Sequence, residues 1–138
     1  MSRGLPPPTE LSREFWDAAA EHRLVVPRCE KCAQCFFPPE RLCPACGSDI
    51  WSGADCAGTG SLVAFTVVHR APSPDFDVPY VVAVVALDEG CELLTNLVLD
   101  ESNAAVVGMP VRVAFLDQPD GRALPVFMPR SSAQQEES

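Results

Sequence analysis

Cys29-Glu30-Lys31-Cys32 and Cys43-Pro44-Ala45-Cys46 are two Cys-x2-Cys pairs separated by ten residues, 33–42. Each pair closes a short turn around a metal ion, and a spacer of this length suits a small hairpin that returns the chain, so four soft thiolates converge on one tetrahedral point. That donor set selects Zn2+. Four sulfur ligands fill the tetrahedron and leave no position for water or substrate, which predicts a structural ion rather than a catalytic one. A ribbon of this size buries little apolar surface, so metal binding would supply most of its stability. Leu24-Val25-Val26 reads as its first strand and runs directly into Cys29. Cys32-Ala33-Gln34-Cys35 repeats the same spacing, so Cys35 competes as a ligand. The strand entering Cys29 favours the set Cys29, Cys32, Cys43 and Cys46.

The remaining thiols, Cys56 and Cys91, read as small buried apolar residues. Seven cysteines form an odd set, and the opening Met1-Ser2-Arg3-Gly4-Leu5-Pro6-Pro7-Pro8 carries no apolar signal core. Both point to free thiols in a reducing compartment, with the cytoplasm the expected location. The longest apolar stretch, Tyr80 to Leu87, is too short to span a bilayer, so a soluble chain is expected.

Ten basic residues against 19 acidic ones give a formal net charge of −9. Lys31 is the single lysine, and the arginines are scattered singly. A nucleic-acid surface clusters positive charge, so that class of partner is disfavoured.

Along the chain, residues 1–23 form an extension and a helix. Thr9 caps the helix, Glu10 and Glu14 lie in its first turns, and Leu11, Phe15, Ala18 or Ala19, and His22 recur on one face. Trp16 widens that stripe, and the helix docks either on its own domain or on a partner subunit. His22 is expected to cap the helix or meet its C-terminal dipole. Residues 24–52 are the zinc ribbon, 53–129 a β-barrel, and 130–138 a polar, acidic, disordered tail.

Within 53–129, Gly58-Thr59-Gly60 precedes a first strand over 61–69, where apolar residues alternate on both faces. Ala71-Pro72-Ser73-Pro74-Asp75 interrupts it as a loop. Further strands are expected over 80–87, 91–99, 111–116 and 124–128, with turns at Asp88-Glu89-Gly90 and Asp120-Gly121. Five short strands with a longer connection after the third, and glycines placed to bend the first, match an OB-type Greek-key barrel. An SH3-like barrel has similar periodicity. The strand aromatics Phe65, Phe76, Tyr80, Phe115 and Phe127 read as core, which removes the stacking platform of a single-strand nucleic-acid binder.

No nucleophile elbow, phosphate loop or histidine metal motif surrounds Cys35, Cys56, Cys91 or His69. Cysteine catalysis needs a neighbouring base, and nothing along the chain pairs Cys91 with His69. His69 reads as a satisfied histidine at the barrel edge.

Several short stretches, in this order, resemble a known family: Phe15-Trp16, Leu24 to Cys29, Phe37-Pro38-Pro39, Cys43 to Gly47, Gly58-Thr59-Gly60, Phe65 to Arg70, Pro79 to Val82, Gly108 to Val111 and Pro125-Val126-Phe127. The resemblance is to acyl-CoA-associated proteins that join a rubredoxin-like zinc ribbon to an OB fold, and it spans about Phe15 to Pro129. Ala33 departs from the family's first knuckle, where glycine often follows the second cysteine.

The resemblance implies a mainly β protein with an N-terminal helix, one structural Zn2+ and no catalysis of its own. It implies an accessory subunit of a thiolase-fold enzyme, a thiolase or retro-aldolase, acting on a bulky acyl-CoA such as a sterol side-chain or aromatic one. Pairing with a hot-dog-fold enoyl-CoA hydratase is the alternative. Under this resemblance Arg70, Arg112 and Arg130 are candidates for contacts to CoA phosphates, since guanidinium groups bind them in bidentate fashion.

Overall fold

The computed structural model describes residues 9–70, 79–99 and 104–130. The expected prolyl entry, the 71–75 loop, Phe76 and all but Arg130 of the tail lie outside those residues.

Helix α1 (Arg13–Ala20) opens the described chain. The turn before it is closed at Thr9, whose Oγ1 accepts from the Ser12 N–H (3.1 Å) while Ser12 Oγ accepts from the Thr9 N–H (2.9 Å). This is a reciprocal box with serine in the place usually held by glutamate. The helix stops when His22 adopts a φ of 61°, with His22 N–H donating to Ala19 O (2.8 Å) and Arg23 N–H to Ala18 O (2.9 Å). These two bonds form a Schellman stop. His22 has a further role that the sequence did not suggest: its ring stacks on Phe115 at 5.1 Å and its Nε2 lies 2.7 Å from Asp117 Oδ1. It ties the helix end to the barrel. The helix docks on its own chain: Trp16, Ala18 and Ala19 are buried, Phe15 meets Phe37 at 5.0 Å, and the Arg122 guanidinium sits 5.6 Å over the Trp16 ring.

β1 (Leu24–Cys29) pairs antiparallel with β2 (Trp51–Cys56), from Leu24 opposite Cys56 to Cys29 opposite Trp51. β2 was not foreseen; it pairs with β1 along its length, runs across the expected boundary between residues 52 and 53, and is followed after Ala57-Gly58 by the first barrel strand.

The barrel strands are β3 (Thr59–Val68), β4 (Tyr80–Leu87), β5 (Glu92–Leu97), β6 (Pro110–Asp117) and β7 (Ala123–Pro129). They close in the order β3-β4-β5-β7-β6, with β5 and β7 parallel where Leu97 meets Phe127. That parallel contact between third and fifth strands is the OB arrangement, which decides between the two barrels that periodicity left open. Closure depends on Gly60, where a Cβ would collide with the Ala86 carbonyl.

Leu62, Val85, Val111 and Phe127 fill the barrel, and Leu24 and Val26 of β1 join the same cluster. The ribbon is therefore roofed onto the barrel by one of its own strands. β3 pairs with β6 only over Thr59–Ser61, and its register with β4 shifts between Leu62 and Ala64. Beyond that bulge the strand leaves the barrel wall with β4 as its sole strand partner among the described residues, exposing Val63, Phe65 and Val67. Phe65 is thus not a core residue. Alternation placed it on the inward face, but no strand among the described residues covers that face there.

Candidate metal centre

The two cysteine turns are built alike. In the first, Ala33 N–H donates to Cys29 O (3.0 Å) and Cys29 N–H to Gln34 O (2.9 Å). In the second, Gly47 N–H donates to Cys43 O (2.8 Å) and Cys43 N–H to Ser48 O (2.8 Å). Each knuckle ends on a left-handed residue, Ala33 at φ 65° and Gly47 at φ 78°. Glycine takes that conformation freely and alanine does not. Arg28 Nε supports the strained knuckle by donating to Ala33 O at 3.2 Å.

These turns bring the sulfurs of Cys29, Cys32, Cys43 and Cys46 within 4.8 Å of one another. Cys29 and Cys46 are 3.6 Å apart, and Cys32 and Cys43 are 3.7 Å apart. A zinc–sulfur bond of about 2.3 Å demands tetrahedral sulfur–sulfur edges of about 3.8 Å, so the spacing fits one tetrathiolate Zn2+. The Cys32 N–H points at Cys29 Sγ (3.5 Å) and holds the Cys29 thiol down, while burial and the neighbouring sulfurs push the Cys32 thiol up, as expected of four thiols crowded together. Cys29 and Cys43 are buried with Phe36, whose ring stands edge-on to Trp51 at 5.9 Å, while Cys46 is exposed. A fully sulfur-filled site of this kind holds structure and offers no open position for chemistry.

Cys35 is left out of the cluster, and its thiol donates instead to Glu89 O at 3.2 Å. Cys91 is buried in the barrel core, and Cys56 is half-buried beside it. His69 is exposed just beyond β3. It follows Val68, which pairs with Tyr80 at one end of β4, whereas Cys91 hydrogen-bonds with Leu87 at the other end. The two cannot form a catalytic pair.

The three arginines are not gathered together. Arg112 on β6 and Arg130 after β7 are near neighbours, with Arg130 N–H donating to Pro110 O at 3.0 Å. Arg70 lies past the far end of β3, whose opposite end pairs with Arg112. Arg112 Nε is buried with no hydrogen-bond partner among the described residues.

Comparison with known proteins gives concordant matches for both lobes. Residues 16–52 match the family model described as ChsH2, rubredoxin-like zinc ribbon domain, and residues 54–116 that described as ChsH2, C-terminal OB-fold domain. A probable enoyl-CoA hydratase alpha subunit of Thermomonospora curvata is 42% identical over 139 residues, covering 99% of this chain. The chain spans 43% of that relative's length. A DUF35 domain-containing scaffold protein of Pyrococcus furiosus is 31% identical over 107 residues, covering 77% of this chain and 78% of the relative. A solved chain described as the Ltp2-ChsH2(DUF35) aldolase superposes with a TM-score of 0.82 at 39% identity, covering 92% of this chain and 100% of that one.

Proposed function

Because the chain belongs to the ChsH2 (DUF35) family of zinc-ribbon and OB-fold proteins, we propose that it is a non-catalytic accessory subunit that binds and stabilises a thiolase-fold enzyme acting on a bulky acyl-CoA. One observation carries this reading: the metal is enclosed by four thiolates and the barrel lumen is filled by side chains, while large apolar residues stand exposed outside. Leu94, Val98, Val106 and Val107 are exposed on the barrel, as are Val63, Phe65 and Val67 on the β3 arm. Exposed apolar groups in this number suit a partner surface. Binding only the folded enzyme would stabilise it by mass action.

The aldolase-type partner is supported by the likeness that covers the whole of its counterpart, a chain described with the Ltp2 aldolase. A hydratase partner is the second reading, favoured by the 42% identity to a hydratase alpha subunit. Among the three arginines Arg112 is the best suited to a CoA phosphate, because its Nε has no hydrogen-bond partner among the described residues.

The test is co-purification of the tagged chain from its native cells. Recovery of a thiolase-fold lyase in a stable complex is expected, and recovery of a hot-dog-fold hydratase would favour the second reading. Acyl-CoA turnover by the isolated chain would overturn both.

A further inference from the structure

Three thiols outside the metal centre meet where the ribbon joins the barrel. Cys35 leaves the first knuckle through a bridge to Arg28, Cys56 ends β2, and Cys91 stands just before β5. Cys35 and Cys56 both pack against the cluster that contains the buried Cys91. The turn carrying Cys91 is held by the ribbon and by the chain that leads from it into β3: Cys35 donates to Glu89 O (3.2 Å), Ala57 N–H to Glu89 Oε2 (2.9 Å), and Asp88 N–H to Thr59 O (3.0 Å). A cavity of about 250 Å³ lined by Cys35, Cys56, Glu89 and Arg28, among others, opens beside them. None of these thiols has a part in holding the metal or in the proposed docking.

We propose that Cys35 and Cys91 are an oxidisable pair that closes as a disulfide under peroxide and ties the ribbon covalently to the barrel. Cys35, half-buried at the cavity, is the sulfur a small peroxide reaches. Burial pushes the Cys91 thiol up to about 12, and the adjoining Cys35 adds to the shift, so Cys91 stays protonated and is not the first sulfur to attack peroxide. The Cys35 sulfur attacks one peroxide oxygen, the O–O bond breaks, and the departing hydroxide takes up the Cys35 thiol proton as water, leaving a sulfenic acid. The Cys91 sulfur then attacks the Cys35 sulfur, the S–O bond breaks, and the hydroxyl leaves as a second water with the Cys91 proton. Two thiols lose two electrons in all, and one peroxide becomes two waters. Cys91 is the resolving partner because Cys35 packs on the cluster that holds it and already donates to Glu89 O, two residues before it, whereas the Cys56 thiol turns toward Ala54 O at 3.8 Å.

The test treats the zinc-loaded full chain with hydrogen peroxide at near-stoichiometric ratio, blocks free thiols by alkylation, and maps the unreduced tryptic peptides. Cys91 is the single cysteine of peptide 71–112, whereas Cys56 lies in peptide 42–70 and Cys35 in 32–41. The expected product links 32–41 to 71–112 with zinc content unchanged. It disappears in Cys35→Ser and in Cys91→Ala, the latter chosen because alanine suits an apolar core, and it persists in Cys56→Ser. A link from 32–41 to 42–70, zinc release before any link forms, over-oxidation of Cys35 with Cys91 unmodified, or no linked peptide at all would each overturn the proposal.

Discussion

The ribbon and the barrel solve the same problem by opposite means. The barrel buries a continuous cluster from Leu62 through Val85 and Val111 to Phe127, enough apolar surface to hold five strands closed. The ribbon has only Cys29, Phe36 and Cys43 buried in its own cluster, with Cys32 and Trp51 packed at the margin. So little burial cannot offset the entropy of ordering two long turns. The ribbon's fold is thus delegated to metal–sulfur bonds, the barrel's to the hydrophobic effect, and a perturbation aimed at one should leave the other standing.

The largest effect belongs to the metal. Apparent zinc-binding energies in small zinc domains are about 10–16 kcal/mol near neutral pH, and in such domains that energy is folding energy. Cys43→Ser removes a buried ligand, so zinc content should fall and the amide signals of residues 29–51 should collapse in a two-dimensional NMR spectrum. Signals of the barrel strands should remain dispersed. A ribbon that stays ordered without zinc would show that the small Phe36–Trp51 cluster is sufficient and would erase the contrast between the lobes.

The converse experiment attacks the barrel. Phe127 is 0% exposed and sits where β5, β6 and β7 converge. Phe127→Ala leaves a large cavity and should cost about 3–5 kcal/mol in a thermal or denaturant melt. Zinc stoichiometry on the protein that remains folded should be unchanged, because no ligand touches that site.

How much of this contrast could be read from the chain alone depends on the range of the contacts involved. The four ligands and the five barrel strands were legible because spacing and period-two alternation are local properties: 80–87 was expected and found as Tyr80–Leu87. β2 was missed because Trp51-Ser52-Gly53-Ala54-Asp55-Cys56 carries no clean alternation and exists as a strand only by pairing with β1, more than twenty residues back. Phe65 was misplaced for a related reason. Alternation assigns a side chain to a face, and only the complete topology says whether another strand covers that face. The partners of Cys35 and His22 lie 54 and 95 positions away, beyond the reach of any motif.

The boundary between the lobes is where the contrast is weakest, and Val26 marks it. It lies on the ribbon's first strand, is 0% exposed, and belongs to the barrel's cluster. Val26→Ala removes two methyl groups and should cost about 2 kcal/mol. Unlike Phe127→Ala, it should also speed zinc loss to a chelator, because β1 carries Cys29 at its end. An unchanged rate of zinc loss would mean that the ribbon's attachment to the barrel contributes nothing to metal retention.

The smallest effect compares the two knuckles with each other. They share the same hydrogen bonds and the same left-handed last residue, yet one ends on Ala33 and the other on Gly47. An alanine in that conformation carries a strain of about 1–2 kcal/mol, partly offset by the lower entropy its side chain imposes on the unfolded chain. Ala33→Gly should therefore stabilise the zinc-loaded protein by a few tenths to about 1 kcal/mol, and Gly47→Ala should destabilise it by a similar amount. A Cβ at Gly47 meets nothing within 4 Å, so the second change tests backbone strain free of any clash. If both substitutions move the melting temperature in the same direction, the turns differ in something other than their terminal φ. Opposite shifts of similar size would show that the left-handed terminal residue sets the difference in strain between the two otherwise alike turns.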